Sequence, residues 1–274
     1  MPTLAQNLEM WNDQRSWADH QGNVWSEQFG GTESLWWFVL YPRIHRFLPA
    51  SSILEIAPGY GRWTQFLQHA CQSMIAVDMS EICIEHCKAR FAGSNHIRFH
   101  VNDGSSLEVV PDGSVDFVFS FDSLVHAESD VLQSYLRQLA AKLKPNGVGF
   151  FHHSNFGSYR GRLAILSGYR RLPSAFRERI LKLNHMERLL SINLAGWRAN
   201  SMTAKLFREY CEQGGLSCIS QELINWYRGK CLIDTISVFT KPGSQWDREL
   251  VFIENDKFVD SAILTGRLAQ LYSR

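Results

Sequence analysis

"LEIAPGYGRW", residues 54–63, joins an apolar strand to a turn that contains Gly59 and Gly61. A glycine turn directly after a strand is typical of nucleotide-binding α/β folds, because glycine lets the backbone approach a ligand closely. The dinucleotide fingerprint requires another glycine three residues after the second one. Thr64 occupies that position, so the stretch taken alone leaves the kind of nucleotide open.

The composition bounds the class of protein. The chain has 274 residues, of which 45% are hydrophobic and 20% charged, and its net charge of +1 gives no general reason to expect nucleic-acid binding. The six cysteines form no CxxC pair, and the N-terminal residues contain no apolar leader, which predicts reduced thiols and a cytoplasmic location. No apolar run approaches the ~20 residues of a membrane span.

Short β-like runs alternate with amphipathic helical windows from residue 50 onwards. The predicted strands are 52–56, 74–77, 97–101, 115–121, 147–153, 217–226 and 232–240, and the helical windows between them are 63–69, 81–91, 131–143 and 203–213. Such alternation predicts a doubly wound, mostly parallel seven-stranded sheet. The short link 228–230 indicates that the last two strands form an antiparallel hairpin.

Three segments flank or interrupt this pattern. Residues 1–50 carry five tryptophans with little strand character and are predicted to form a helical cap on the α/β domain 51–274. A helical insertion at about 157–200 holds nine Arg and Lys residues against two Glu, a net charge of +7. A polar tail follows at about 242–274.

Polar residues stand where several predicted strands end. Asp78 ends the second strand, Asn102 and Asp103 follow the third, and Asp122 follows the fourth. Ligands of doubly wound sheets bind outside the carboxyl ends of the strands, where an acidic residue after the second strand binds ribose hydroxyls. These side chains are therefore expected to share one ligand cleft with the glycine turn.

With these motifs the sequence resembles the class I, S-adenosylmethionine-dependent methyltransferases. Residues 55–61 are similar to their motif I (E/D-x-x-x-G-x-G), residues 116–120 to their fourth-strand motif, and residues 143–147 to their L-x-P-G-G turn. The resemblance covers about residues 50–155 and the terminal hairpin. It departs from the family pattern at Pro58 and Asn146.

The resemblance implies a Rossmann-like fold and S-adenosylmethionine as the cofactor. This cofactor has no phosphate, so the third glycine of the dinucleotide fingerprint is not needed. Asp78 is implied to bind the ribose and Asp103 the adenine, and Glu55 is expected to help orient the ammonium group through the turn or a water. The full set of expected cofactor-binding residues is Glu55, Ala57, Gly59, Gly61, Asp78, Met79, Asn102, Asp103, Gly104, Ser120 and Phe121.

Methyl transfer to a hydroxyl group needs a base near the end of the fourth strand. His126 is the first choice, because a neutral imidazole accepts a proton at physiological pH; Asp122 is a second candidate, and a structural role for the histidine stays open. Of the adjacent residues His152 and His153 only one faces the pocket, since neighbouring residues of a strand point to opposite faces. His153 is the expected one, and local packing of both rings is the alternative.

A metal site is not favoured. His126, Glu128, Asp130 and His153 are the residue types that bind a divalent ion, but their spacing matches no ligand template. No residue is therefore assigned as a metal ligand, and a divalent metal is possible but not favoured.

The acceptor is expected to be held by the basic insertion and its aromatic residues. The predicted substrate-binding residues are Asn155, Tyr159, Trp197 and Arg198. Aromatic faces stack on sugars and arginines bind acidic groups. A finer resemblance to bacterial sugar O-methyltransferases implies a sugar hydroxyl of a glycan or glycoside precursor as the acceptor.

Other readings of the sequence remain open. A natural-product or other small-molecule O- or N-methyltransferase is the first alternative, and a non-catalytic S-adenosylmethionine-binding regulator is the second. The basic insertion could also be a solvated face or the contact of a homodimer. The expected partner is a small-molecule or oligosaccharide acceptor. We expect neither a nucleic-acid partner nor a transmembrane segment.

Overall fold

The computed structural model describes residues 3–13, 22–161, 197–226 and 231–272. Most of the basic insertion, residues 162–196, and the hairpin link at 228–230 lie outside the described residues. The expectations for those segments therefore stay predictions.

Eight strands of the described chain form one sheet with the order β3-β2-β1-β4-β5-β7-β6-β8. Their bounds are β1 (Ala50–Ile56), β2 (Cys71–Asp78), β3 (Ile97–Val101), β4 (Val115–Ser120), β5 (Leu143–Ser154), β6 (Ser217–Ile224), β7 (Asp234–Thr240) and β8 (Val251–Asn255). Strands β1 to β5 pair in parallel, whereas β7 runs antiparallel to both β5 and β6. This confirms the doubly wound sheet with its antiparallel hairpin.

The sheet has one strand more than the seven expected. Strand β8 pairs in parallel with β6 at the edge of the sheet. Four of its five residues are exposed, so neither face of this strand packs on a core. An exposed edge strand has no apolar alternation, which is why the sequence pattern did not reveal it.

Helices cover both faces of the sheet. Their bounds are α1 (Leu4–Asn12), α2 (Thr32–Leu35), α3 (Tyr41–Ile44), α4 (Thr64–Leu67), α5 (Glu81–Arg90), α6 (Ser129–Lys142), α7 (Ala204–Gly214) and α8 (Phe258–Tyr272). A π-helical turn, Trp36–Leu40, links α2 to α3, and 3₁₀ turns include Asn23–Phe29 and Leu124–His126.

Two apolar clusters lie on opposite sides of the sheet. Side chains of α2, α3 and α8 pack in the cluster that contains Phe150, whereas those of α6 and α7 pack in the cluster that contains Phe151. Neighbouring residues of β5 thus point to opposite clusters, as the pleat requires. In α6, Leu132, Leu136 and Leu139 are fully buried, which is the amphipathic stripe read from the sequence.

The topology brings several chain segments to one edge of the sheet. Because β1, β2, β3 and β4 are parallel, their carboxyl ends meet there. The segments that follow these strands, residues 57–63, 79–80, 102–104 and 121–126, therefore gather around one space.

Candidate active site

A cavity of about 420 Å³ lies at the carboxyl ends of the parallel strands. It falls within the size range of small-molecule and cofactor sites. Its walls come from the loops after β1, β2, β3 and β4, from α1, and from the last residues of the insertion, Trp197 and Arg198. Seven aromatic residues line it, namely Trp11, Trp25, Trp63, Phe121, Tyr135, Trp197 and Trp226.

The two glycines of the turn have different roles. Gly59 (φ 57°) and Gly61 (φ 81°) both adopt left-handed backbone, which favours glycine. Gly59 lines the cavity beside Ala57 and Pro58. Gly61 does not line it; a Cβ atom there would lie 2.4 Å from Cε2 of Phe91. The first glycine therefore gives a ligand access to the backbone, while the second lets the turn pack on the end of α5.

Thr64 replaces the third glycine for a structural reason. Its hydroxyl donates a hydrogen bond of 2.6 Å to Oε2 of Glu55, which is buried in β1. Burial raises the pKa of Glu55 to about 8. Glu55 does not line the cavity. A role of Glu55 at the cofactor ammonium therefore stays a prediction, and an indirect one, because the carboxyl is bonded to α4 beneath the turn.

Asp78 lies on the cavity wall, where the sequence placed it. Its Oδ2 accepts a hydrogen bond from the Gly59 N–H at 3.1 Å and its Oδ1 accepts one from the Ser80 N–H at 2.9 Å. Burial raises the pKa of Asp78 to about 6, although these hydrogen bonds oppose that effect. Each oxygen accepts one of these bonds and can accept another, so the carboxylate can bind ribose hydroxyls.

The residues that line the cavity from the loops after β2 and β3 differ in part from those expected. Met79, Asn102 and Gly104 line the cavity, but Asp103 does not. Asp103 is exposed, and its Oδ1 accepts hydrogen bonds from the N–H groups of Ser105 and Ser106. The expected adenine contact of Asp103 is thereby corrected: this carboxylate stabilises a local turn, as aspartates after strands often do.

Ser120 is likewise withdrawn from the cavity, whereas Phe121 lines it. Ser120 is the last residue of β4 and is buried, and its hydroxyl has no hydrogen-bond partner within the described chain. Strand alternation explains the difference, because consecutive side chains point to opposite faces.

His126 lines the cavity at the end of the 3₁₀ turn after β4. Its Nδ1–H donates a hydrogen bond of 2.6 Å to the Trp197 carbonyl oxygen. The tautomer is set by this bond, because a carbonyl can only accept, and it leaves Nε2 with a free lone pair. Burial and the Arg198 guanidinium lower the pKa of His126 to about 4, so the ring is neutral at physiological pH.

Asp122 lies beside His126 in a network of buried charges. Its Oδ2 forms an ion pair of 2.9 Å with Arg62, and its Oδ1 lies 3.9 Å from Nη2 of Arg198. Arg198 in turn forms a bidentate pair with Asp234, at 3.1 Å and 3.0 Å. Both Asp122 and Arg198 line the cavity. Because Asp122 is paired with a guanidinium, it is a weaker candidate for the base than His126.

His153 does not face the cavity. Its ring stacks on Phe207 of α7, with 4.3 Å between centroids, and its Nε2 lies 2.8 Å from the Ser237 hydroxyl. His152 points the other way, and its Nδ1 accepts a hydrogen bond from the Asp122 N–H. Neither histidine lines the cavity, and the expected role of His153 is corrected: the pleat of β5 places it on the face covered by α7, whereas His152 packs behind the cavity wall against Phe121 and Trp226.

Two of the four expected substrate-binding residues line the cavity. These are Trp197 and Arg198. The Asn155 side chain is buried and holds the backbone, donating to the Leu232 carbonyl and accepting from the Ala204 N–H. The Tyr159 hydroxyl accepts a hydrogen bond from the Leu232 N–H. Asn155 and Tyr159 are corrected to structural residues, because their polar groups bind chain segments around the insertion.

The described residues contain no group of three or more His, Cys, Asp or Glu side chains that could hold a metal ion. The residues considered from the sequence are dispersed. Glu128 accepts hydrogen bonds from the N–H and hydroxyl of Ser201, and Asp130 is exposed at the start of α6.

Residues 53–147 match the family model of the methyltransferase domain. The chain carries a methyltransferase domain. The match spans about a third of the sequence, and it contains the glycine turn, Asp78 and His126. It agrees with the methyltransferase assignment that the motifs of residues 50–155 predicted, and it extends to no other part of the chain.

Among curated proteins, phosphoethanolamine N-methyltransferase 1 of Arabidopsis thaliana is 26% identical over 119 residues, which cover 42% of this chain. The aligned part spans only 24% of the length of that relative. The likeness therefore concerns one domain of a longer protein.

Solved structures share the fold of the methyltransferase domain. The N-methyltransferase NodS from Bradyrhizobium japonicum WM9, solved with S-adenosylhomocysteine, is similar with a TM-score of 0.54 at 14% identity, covering 87% of this chain and 98% of that one. A S-adenosylmethionine-dependent methyltransferase from Clostridium acetobutylicum ATCC 824 has a TM-score of 0.53 at 14% identity, covering 88% and 100%. At such identities the likeness shows the fold alone.

The cavity of the methyltransferase domain fits this cofactor by the chemistry of its walls. The Asp78 carboxylate offers hydrogen-bond acceptors for the ribose hydroxyls, and Gly59 exposes its backbone. Met79 and Val131 offer apolar surface for the adenine ring. No helix in the described part of the chain is both long and apolar enough to cross a membrane.

Several cavity residues of the domain escaped the sequence analysis. Three of them line the cavity: Asn7, Arg62 and Trp226. A fourth residue, Asp234, lies behind the cavity wall and pairs with Arg198. Arg62 stood inside the quoted stretch, next to Gly61, and that position was a usable signal. Asn7 and Trp226 gave no local signal, because they reach the site from the N-terminal helix and from the end of the terminal hairpin.

Proposed function

We propose that the protein is an S-adenosylmethionine-dependent O-methyltransferase that acts on a sugar hydroxyl of a glycan or glycoside precursor. The observation that carries the proposal is the hydrogen bond from His126 Nδ1–H to the Trp197 carbonyl. This bond leaves the Nε2 lone pair free on a residue that lines the cavity. A hydroxyl acceptor needs such a base, because its proton must leave as the new bond forms.

His126 is suited to take that proton. Its lowered pKa keeps the ring neutral but also makes it a weaker base, and the Trp197 carbonyl, Asp122 and Asp234 partly offset this because they favour the imidazolium once it forms. S-adenosylmethionine, when bound, supplies a methyl group on a positively charged sulfur. Asp78, Asn102 and the Gly59 backbone are the groups that would hold it.

The walls of the cavity favour a sugar over a purely apolar acceptor. Trp63 and Trp226 present flat apolar surface close to the charged groups of Arg62 and Arg198, whose guanidinium carbons lie 4.6 Å and 5.9 Å from the indole centroids. Sugars offer the same combination of an apolar face and hydroxyl groups. The two arginines would also accommodate an acidic sugar.

The test is a labelled-methyl transfer screen over oligosaccharides and nucleotide sugars, with and without EDTA. Transfer to a hydroxyl that survives EDTA is the expected result. His126→Gln should then lower kcat by about 10² to 10⁴-fold. The affinity for S-adenosylhomocysteine should change little. His45→Gln, an exposed histidine of the N-terminal region, is the matched control. Unchanged turnover in His126→Gln would contradict the assignment of the base.

N-methylation of a small amine is the second candidate. The curated relative and NodS are both named N-methyltransferases, and the aromatic walls would stabilise the ammonium charge that develops as a neutral amine accepts the methyl group. Phosphoethanolamine and other primary amines therefore belong in the same screen. Transfer to an amine and to none of the sugars would replace the sugar proposal. Tight cofactor binding without any transfer would favour a regulatory protein.

The remaining features of the proposal concern the molecule around the site. We propose that residues 1–50 act as a cap on the domain 51–274, since Asn7, Trp11 and Trp25 line the cavity. None of the six cysteines, all of which lie in the described residues, forms a disulfide, which supports a cytoplasmic location. An oligosaccharide acceptor and a homodimer stay predictions.

A further inference from the structure

The side chain of Asn7 lies between two parts of the active site. Asn7 belongs to α1 and is buried, with 4% of its surface exposed. Its Nδ2 donates a hydrogen bond of 2.9 Å to the His126 carbonyl oxygen, and its Oδ1 accepts one of 2.8 Å from the Trp197 indole Nε1–H. Removing this buried side-chain amide should lower stability, because the His126 carbonyl and the Trp197 indole N–H would each lose a hydrogen-bond partner.

The same two residues are bonded to each other. The Trp197 carbonyl accepts the Nδ1–H of His126, so Asn7, His126 and Trp197 form a closed ring of hydrogen bonds. These three hydrogen bonds join α1, the turn after β4 and the last residues of the insertion. We call these three residues the latch.

Trp197 needs an external restraint to take part in the latch. Its backbone has φ 60°, a left-handed conformation that costs about 1–2 kcal/mol for a residue with a side chain. Such a conformation persists only where surrounding contacts impose it. The bond from its indole to Asn7 is one such contact, and the Ala199 N–H to Val125 carbonyl bond is another. The strained conformation is the one that turns the Trp197 carbonyl towards His126.

We infer that Asn7 is a positioning residue that holds the Trp197 carbonyl on Nδ1 of His126 and so keeps Nε2 free to act as the base. The inference rests on the proposed use of His126 as the base. Asn7 does not touch the reacting atoms in this arrangement; it acts through Trp197. Without the latch, the His126 ring could rotate or take the Nε2–H tautomer, and neither state offers the free lone pair in the same place.

Other contacts of α1 lie apart from the latch and supply a control. The Ser80 hydroxyl donates a hydrogen bond of 2.6 Å to Oδ1 of Asn12, at the far end of the same helix. Asn12→Ala removes a side-chain bond of α1 without touching His126 or Trp197. It therefore separates the effect of a loosened helix from the effect of the latch.

The experiment is NMR of the full chain with ¹⁵N-labelled histidine, saturated with S-adenosylhomocysteine. In the wild type, the ¹⁵N shifts of His126 should report a single Nδ1–H tautomer. The Nε2–H tautomer of His126 should become populated in Asn7→Leu and in Trp197→Phe. Leucine has nearly the same volume as asparagine, and phenylalanine lacks the indole N–H and has a smaller ring. Asn12→Ala should keep the wild-type tautomer.

A pH titration of the same samples gives a second measurement. The charged groups that act on His126 are Arg198, Asp122 and Asp234, and all three are retained in every variant. A rise of the His126 pKa from about 4 towards its ordinary value in the latch variants would therefore reflect hydration of a loosened ring. With an acceptor found in the screen, the latch variants should lose about 10-fold or more in kcat, with KM for S-adenosylmethionine within about 3-fold.

Retention of a single Nδ1–H tautomer with an unchanged pKa in both latch variants would overturn the inference. If Asn7→Leu fails to fold, Trp197→Phe decides the question by itself. The tautomer is measured without any acceptor. A tautomer change together with no methyl transfer to hydroxyl groups in the wild type would thus support the latch and refute the proposed function, so the two failures are distinguishable.

Discussion

Thr64 and Glu55 show how one hydrogen bond limits the role that a residue beside the glycine turn can have. The absence of a glycine at position 64 correctly argued against a pyrophosphate ligand. The hydrogen bond between Thr64 and Glu55, however, withdraws the carboxyl from the cavity. A buried carboxyl with one oxygen lacking a partner in the described structure is better protonated than ionised, which is why its pKa is raised.

This protonation predicts a pH dependence of stability. The pKa of Glu55 rises from 4.5 to about 8 on folding, so the folded state holds a proton that the unfolded chain releases. The resulting stabilisation is complete below about pH 4.5 and is lost as the pH rises towards 8. Between pH 6.5 and 8.5 the free energy of unfolding in urea should fall by about 2 kcal/mol.

Glu55→Gln should remove most of that fall, because its amide oxygen still accepts from Thr64 and carries no titrating proton. Asp78 titrates lower, its pKa being raised from 3.8 to about 6, so it contributes little above pH 6.5. An equal fall in the glutamine variant and the wild type would show that another group is responsible.

At the scale of elements, the contact between the glycine turn and α5 determines how the cofactor loop is held. Gly61 lies against Phe91, which directly follows α5, and Cys87 of that helix donates its thiol to the Gly59 carbonyl. The turn is thus packed from behind while its front faces the cavity.

Gly61→Ala should destabilise the protein by about 2–4 kcal/mol. The estimate combines the positive φ of 81° with the collision of the new Cβ with the Phe91 ring. Gly113→Ala is the matched control, because Gly113 also has a positive φ, of 60°, but open space around its Cβ position. That variant should lose only about 1 kcal/mol in urea unfolding. Equal losses would mean that backbone strain, rather than packing on α5, decides the cost.

The element scale also explains the histidines. The phase of the pleat in β5 sets which histidine lies on which face, because alternate residues point to opposite faces. Phe150 and His152 lie on one face, and Phe151 and His153 lie on the other, against α7. The sequence alone did not show which of these faces α7 covers, because that depends on packing between distant segments.

At the scale of the whole molecule, Asp234 connects segments that are far apart in the chain. It begins β7, pairs with Arg198 next to the insertion, and lies 3.4 Å from Nε2 of His152 in β5. Burial alone would raise the pKa of Asp234, but Arg198 and His152 lower it below its ordinary value. The charge is therefore retained in the interior and stabilises the junction of these segments.

Asp234→Asn should cost about 3–5 kcal/mol in urea unfolding, since it leaves the buried Arg198 without its bidentate partner. Asp112→Asn is the control, because Asp112 pairs with Lys142 on the surface and should contribute less than about 1 kcal/mol. A loss below about 1 kcal/mol in Asp234→Asn would show that Asp122 suffices to compensate Arg198. The double variant Arg198→Met with Asp234→Asn should recover part of the loss.

The amino-acid sequence by itself determined the fold class, the cofactor loop and the position of Asp78 and His126. Those features depend on local patterns: apolar alternation, a glycine turn after a strand, and polar residues where parallel strands end. Each follows from residues close together in the chain. The same local patterns also identified the methyltransferase domain.

Only the tertiary structure decided which polar groups remain free in the cavity. Glu55, Asp103 and Asn155 carry suitable chemistry, but Thr64, Ser105 and the backbone near Leu232 take up their hydrogen-bonding groups. Conversely, Asn7 enters the site from a helix that precedes every motif. Hydrogen-bond partners across the fold are set by packing between distant segments, and a polar side chain becomes available for chemistry only where packing leaves it unpaired.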